Sequence, residues 1–145
     1  MNRAMLQLGR LLAATCAAML VMASQAGGEV TMEKKPYAGW PNCIWLSNGD
    51  VELVITTDVG PRVMRYAKPG GQNFMKEYEE QLGQTGGDEW RIYGGHRLWH
   101  APEAKPRTYW PDNVPVDYDY AEGILTVTQP VEESTGIQKS MAIAL

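Results

Sequence analysis

The sequence predicts an all-β fold made of antiparallel strands. Apolar and polar residues alternate in short runs such as 51–57, and this period of two is typical of half-buried strands. The pair Asn48-Gly49 stands just before that run and favours the left-handed backbone of a hairpin turn. Prolines and a glycine pair recur between residues 94 and 115 and exclude helices of ordinary length there.

The first element is a segment typical of a cleavable signal peptide, predicted over residues 1–26. Arg3 and Arg10 precede an uncharged apolar run over 11–23. This run is shorter than the ~20 residues that a membrane-spanning helix needs, and Ser24-Gln25-Ala26 supplies small residues for a cleavage site. We therefore expect export to the periplasm or the extracellular space, with no membrane anchor after cleavage.

Charge and cysteine content limit the partners of the exported chain. The full chain has a net charge of −4, and cleavage would remove two arginines and no acidic side chain. This excess of negative charge disfavours nucleic acid as a partner. Cleavage would also remove Cys16, so that Cys43 has no partner for an internal disulfide. The apolar neighbours of Cys43 predict a buried, unreactive thiol.

The folded part is predicted to begin near Tyr37, after an exposed lead-in over residues 27–36. The predicted strands cover residues 43–46, 51–57, 62–68, 116–120, 124–129 and 137–145. The polar stretch 72–87 is predicted as a long loop with at most a short helix at 75–82. The last strand is apolar and has no evident partner strand, which invites aggregation. We therefore expect residues 37–145 to be the N-terminal part of a domain truncated at the C-terminus.

Residues 86–103 hold the densest group of chemically useful side chains. They include both histidines of the chain, two tryptophans, two arginines and three carboxylates. Paired glycines let the backbone approach a ligand, arginine binds oxygen atoms through its planar fork, and histidine transfers protons near neutral pH. These are the components of a sugar-binding cleft, in which His96 is a candidate for proton transfer. The candidate substrate-binding residues are Arg91, Arg97, His100, Trp90, Asp88 and Glu89.

Each of these candidates also has a structural interpretation, which the sequence leaves open. The tryptophans can belong to the core, the arginines can pair with the nearby carboxylates, and either histidine can be structural. Two histidines four residues apart also invite a zinc site, but the flanking Gly94-Gly95 and Pro102 leave little room for a helix. On a strand the Cα atoms of His96 and His100 would stand roughly 13 Å apart. We therefore predict no metal and no other cofactor.

The chain resembles a secreted bacterial family related to the galactose mutarotases, or aldose 1-epimerases. The resemblance rests on residues 39–42, 53–62, 86–91 and 94–103. It implies a β-supersandwich, two large antiparallel sheets with a sugar cleft on a concave face, of which residues 37–145 would form the N-terminal part. In mutarotases a histidine protonates the ring oxygen and a glutamate late in the chain removes the proton of the anomeric hydroxyl. The resemblance assigns the histidine role to His96, whereas the glutamate has no counterpart in this chain.

Two functions remain open at this stage. The first is a carbohydrate-active domain whose full-length parent interconverts sugar anomers, with the chain itself inactive alone. The second is a non-catalytic carbohydrate-binding or structural β-sandwich domain. A carboxylate opposite His96 across the cleft would favour the enzyme, because acid and base must act on opposite sides of the substrate.

A regular strand would separate the polar groups of this segment. His96 and His100 would lie on one face, and Arg97 and Trp99 on the other. We therefore predict a bend or bulge at Gly94-Gly95 that directs His96 and Arg97 into the same cleft. Truncation of Trp99 is expected to destabilise the fold by a few kcal/mol, as truncation of a large core residue does.

Overall fold

The computed structural model describes residues 28–145, and the predicted signal peptide lies outside this range. The described chain folds into two antiparallel sheets, which confirms the all-β prediction. The first sheet contains, in spatial order, β1 (Thr31–Tyr37), β2 (Trp40–Ser47), β3 (Glu52–Thr56), β4 (Arg62–Ala67) and β5 (His96–Arg97). The second contains β6 (Asp117–Ala121), β7 (Ile124–Thr128) and β8 (Ser140–Ile143). Two short 3₁₀ helices occupy Glu79–Gln81 and Arg107–Tyr109.

Two strands differ from the sequence-based prediction. Strand β1 lies within the predicted lead-in, so the folded part begins before Tyr37. It pairs along β2, from Thr31 opposite Ser47 to Tyr37 opposite Trp40, and most of its side chains remain partly or fully exposed. A strand that buries so little apolar surface gives a weak hydrophobic pattern. The last strand, β8, was expected to lack a partner, but it pairs with β7 over four residues.

The first core lies between the two sheets. Alternate residues of β2, β3 and β4 face alternate residues of β7 and β8, as the pleat of a strand requires. Its buried members are Ile44, Leu46, Ile55, Val63, Val116, Leu125, Val127, Met141 and Ile143. The face of the first sheet that carries Ile55 was thus predicted correctly from the period-two pattern.

The opposite face of the first sheet is also buried. Trp40, Cys43, Val54 and Met64 pack there against Tyr93, which belongs to residues 76–95, here called the covering segment. Thr56, which the alternation had placed on a solvent-facing side, is fully buried. The register between β3 and β4 shifts just after Val54, because β4 contains one extra residue at that point.

The covering segment is closed at its base and attached to the sheet by hydrogen bonds. The amides of Tyr78 and Gly95 donate to the carbonyl oxygens of Tyr93 (3.0 Å) and Lys76 (2.8 Å). The indole of Trp40 donates to the carbonyl oxygen of Gln84 at 3.0 Å. The predicted loop is therefore present, and the short helix expected at 75–82 is reduced to the 3₁₀ turn at Glu79–Gln81.

Cys43 lies beneath the covering segment as a free, fully buried thiol. Burial raises the pKa of the Cys43 thiol to about 11, so little reactive thiolate forms near neutral pH. The prediction of a buried thiol is confirmed. Within residues 28–145, no helix has the length and apolar character needed to cross a membrane.

Candidate functional site

The glycine pair Gly94-Gly95 shapes the entrance to β5. Both residues have positive φ angles, +110° and +68°. A Cβ atom on Gly94 would stand 2.1 Å from the carbonyl oxygen of Lys76, and one on Gly95 would stand 2.3 Å from that of Val63. Only glycine permits such close backbone contacts with this geometry. The predicted bend is therefore present, and it presses the end of the covering segment against β4.

The bend opens a cavity of about 370 Å³ beside β5, here called the His96 cavity. Its lining comprises Arg62, Lys76, Tyr78, Ile92, Gly94, Gly95, His96, Arg97 and Trp99. Atoms of both His96 and Arg97 line this cavity, although neighbouring residues of β5 project from opposite faces of the strand. His96 and Lys76 are exposed, so their polar groups are accessible to a ligand. Trp99 is 50% exposed, and its assignment as a large core residue was therefore wrong.

Arg97 is a buried cation held mainly by aromatic contacts. Its guanidinium carbon lies 4.3 Å from the ring centroid of Trp99 and 5.6 Å from that of Trp90, distances at which a cation is attracted to a π face. None of its three guanidinium nitrogens has a hydrogen-bond partner within the described chain. Burial is the largest effect on the pKa of Arg97 and lowers it. The negative charge of Asp112 raises that pKa, and the positive charge of Arg62 lowers it further, so that the pKa is lowered overall.

Asp112 is the carboxylate shared by the two arginines of neighbouring strands. Arg62 and Arg97 are cross-strand partners on β4 and β5. Arg62 donates to Asp112 Oδ2 at 2.8 Å and to the carbonyl oxygens of Ile92 and Gly94 at 2.7 and 2.8 Å. Arg97 Nε lies 3.8 Å from the same carboxylate oxygen. The arginines therefore do not depend on Asp88 and Glu89, the carboxylates nearest in sequence.

Asp88, Glu89 and Arg91 lie apart from the His96 cavity. Asp88 lines a different cavity of about 420 Å³ together with Asp112, and Glu89 is exposed. Arg91 donates to the carbonyl oxygen of Gly86 at 2.6 Å, within the covering segment. Their predicted contact with the same ligand as His96 is not supported by this arrangement, and Arg91 has a structural contact instead.

Trp90 also serves the structure rather than the cavity lining. Its ring packs against Trp99 and Tyr109 with centroid separations of 5.9 and 5.2 Å. The three aromatic rings contact one another in tilted or edge-to-face arrangements and form one cluster with Arg97. Trp90 therefore contacts the cavity only indirectly, by packing against Trp99, which lines the cavity.

His100 faces a second buried charge cluster. Its Nε2 atom lies 3.4 Å from Glu132 Oε2, and Glu132 also accepts from Lys139, Thr135 and Gln129 at 2.7–3.0 Å. Burial alone would raise the pKa of Glu132, but these hydrogen bonds outweigh it and lower that pKa to about 2. His100 therefore contacts a structural carboxylate and is not part of the His96 cavity lining.

The low pKa of Glu132 predicts a loss of stability in acid. Because the folded-state pKa is about 2 and the ordinary value is 4.5, the stabilisation is complete above pH 4.5 and disappears as the pH falls towards 2. The loss is expected to be on the order of 3 kcal/mol. Urea unfolding between pH 6 and 2 should show a shallower pH dependence in Glu132→Gln. The variant of its exposed neighbour, Glu133→Gln, should keep the wild-type dependence, and equal profiles for all three proteins would contradict the prediction.

Three polar residues that support the site were not singled out from the sequence: Arg62, Asp112 and Asn113. Asn113 donates to the carbonyl oxygens of Gly87 and Glu89 at 3.1 and 2.7 Å and accepts from the Tyr93 hydroxyl at 2.9 Å. It thus holds the covering segment to the loop that carries Asp112. One signal was visible, because Arg62 follows Gly60-Pro61 and directly precedes the apolar pair Val63-Met64.

Comparison of the chain with family models, curated proteins and solved structures gave no match. The resemblance to the mutarotase-related family and the supersandwich architecture therefore remain predictions. No group of three or more histidine, cysteine or acidic side chains between residues 28 and 145 is arranged to hold a metal ion.

Proposed function

We propose that this chain binds a carbohydrate in the His96 cavity. The observation that carries the proposal is the half-exposed ring of Trp99 standing beside His96 in one cavity. An aromatic ring provides a flat apolar surface for the C–H face of a sugar, while a neighbouring polar side chain can bind its hydroxyl groups. A volume of about 370 Å³ is within the usual range for small-molecule sites.

The packing around Trp99 favours a preformed stacking surface. The guanidinium of Arg97 covers part of the ring at 4.3 Å, and Trp90 and Tyr109 contact it at centroid distances of 5.9 and 6.1 Å. These neighbours restrict the rotation of the indole before any ligand arrives. A rigid aromatic surface loses little conformational entropy on binding. This low cost favours binding of a small ligand that offers few apolar contacts.

The lining favours binding over catalysis. Among the described residues that line the cavity, none carries a carboxylate that could act as a base opposite His96. We therefore propose a non-catalytic carbohydrate-binding domain, with anomer interconversion as the alternative for a longer parent protein. The mutarotase-like resemblance supports a sugar as the ligand, and the signal-peptide pattern supports export of the chain.

Replacement of Trp99 tests this function. Trp99→Ala is expected to weaken sugar binding about tenfold, because it removes the apolar stacking surface. Binding of galactose, glucose and their methyl glycosides to the full chain would be followed by NMR titration. Phe74→Ala is the matched control, because Phe74 is 72% exposed and is absent from the cavity lining. The proposal fails if no sugar binds the wild type, or if Trp99→Ala and the exposed-residue variant His96→Ala both bind as tightly as the wild type.

A further inference from the structure

We infer that the carbohydrate recognised in the His96 cavity carries an anionic group, either a carboxylate or a sulfate. This inference rests on the proposed function and specifies the class of sugar. The charged residues that line the cavity are Arg62, Lys76 and Arg97, all of them basic, and no acidic side chain lines it. The full chain has a net charge of −4, so this concentration of basic groups is opposite in sign to the protein as a whole.

The buried groups behind the cavity add to its positive potential. Arg62 and Arg97 share the single carboxylate of Asp112, while Glu132 is paired with Lys139 at 2.8 Å. Two buried guanidinium groups therefore share one carboxylate, whereas Glu132 is already matched by Lys139. Charges in a poorly solvated environment interact over longer distances than exposed charges do. The unbalanced positive charge therefore favours an anion in the adjacent cavity.

Arg97 is the source of this imbalance. Its guanidinium is almost completely enclosed, with 4% of the side chain exposed, and all of its nitrogens lack hydrogen-bond partners in the described chain. A buried cation without hydrogen bonds is energetically costly unless other negative charge compensates it. An anionic group in the neighbouring cavity would compensate the positive charge of Arg97 and would not have to displace the packed rings of Trp90 and Trp99.

Lys76 and His96 are the groups able to contact the anion directly. Both are exposed and line the cavity, and the carbonyl oxygen of Lys76 accepts a hydrogen bond from the amide of Gly95, next to His96, at 2.8 Å. The Lys76 ammonium lies 5.3 Å from the ring centroid of Tyr78, which keeps the lysine beside the cavity. A lysine ammonium binds carboxylate and sulfate oxygens as a point charge, so it accepts either group.

The experiment compares three probes on the full chain by isothermal titration calorimetry: methyl β-D-galactopyranoside, D-galacturonate and D-galactose 6-sulfate. At low ionic strength, at least one anionic probe is expected to bind about tenfold more tightly than the neutral glycoside. Added sodium chloride should reduce that difference, because salt screens exposed charges. The relative affinity of the galacturonate and the sulfate then identifies the anionic group.

Paired lysine variants locate the effect. Lys76→Gln is expected to lose most of the preference for the anionic probe, because it removes the exposed lysine cation of the cavity lining. Lys68→Gln removes the same charge from an exposed position outside the cavity lining and should retain the preference. Because both lysines are exposed, neither variant is expected to disturb folding.

The possible results separate this inference from the proposed function. Equal binding of neutral and anionic probes, with loss of both in Trp99→Ala, would overturn the inference and leave carbohydrate binding intact. Failure of all three probes to bind would overturn this inference, while the wider sugar panel above decides the proposed function. An anionic preference that Lys68→Gln and Lys76→Gln reduce equally would also overturn it, because the effect would then reflect overall charge.

Discussion

Arg62→Met is expected to lower the free energy of unfolding by about 3–5 kcal/mol, the usual cost of removing one partner of a buried ion pair. The side chain of Arg62 is fully buried and donates three hydrogen bonds, to Asp112, Ile92 and Gly94. Methionine fills much of the same volume but satisfies none of these acceptors. Two carbonyl oxygens and a carboxylate would be left poorly compensated in a dry environment.

Urea denaturation of Arg62→Met and of Arg65→Met would measure this effect. Arg65 pairs with Glu52 at 2.7 Å, and because both side chains remain 13% exposed, water can replace part of the lost contact, so its loss should cost about 2 kcal/mol. The double variant Arg62→Met/Asp112→Leu should cost less than the sum of the two single effects, because neither member of the pair is left without the other. It should still be less stable than the wild type, since the buried Arg97 loses Asp112 as its neighbouring carboxylate. Equal costs for Arg62→Met and Arg65→Met would show that the buried pair has no special role.

Gly94→Ala is expected to destabilise the protein by about 3 kcal/mol or more. The added methyl group would stand 2.1 Å from the carbonyl oxygen of Lys76 and 2.9 Å from the Cα atom of Glu77. Both are backbone atoms, so relief requires the base of the covering segment to separate. The φ angle of +110° is a second source of strain for any residue with a side chain.

Gly70→Ala provides the control for backbone strain alone. Gly70 also has a positive φ angle, +68°, but a Cβ atom there would meet nothing within 4 Å. Its replacement should cost about 1 kcal/mol. Thermal unfolding of the two variants should therefore differ clearly, and Gly94→Ala should also lose binding to the His96 cavity. Similar melting temperatures for the two variants would refute the close approach at Gly94.

The strands with strong alternation were predictable because one face of each is buried in the first core. Ile55 is placed inward by its sequence pattern, and the structure buries it. Strand β1 was not predictable in this way, since it contributes backbone pairing and little buried area. Burial of Thr56 was also missed, because it depends on the covering segment, which is distant in sequence and has no regular pattern of its own.

Sequence reasoning found the part of the site that is encoded locally. Gly94-Gly95 with His96 and Arg97 forms one short segment, and its composition alone marked it as unusual. The carboxylates that contact charged groups of this region are Asp112 and Glu132, which are 15 or more residues away from Arg97 along the chain. Such partners are fixed by the packing of loops in space, so the sequence offered only the nearer Asp88 and Glu89 as partners for the arginines. The contact of His100 with Glu132 is invisible in the sequence for the same reason.

The position of Cys43 makes it a natural reporter of motion in the covering segment. The thiol lies in the core that Tyr93 closes from above, so a thiol-specific reagent can reach it only when residues 76–95 separate from the sheet. The rate of Cys43 alkylation therefore measures the free energy of that local opening. The His96 cavity is lined partly by the same segment. A bound ligand should therefore slow the alkylation of Cys43, although the thiol itself does not line the cavity.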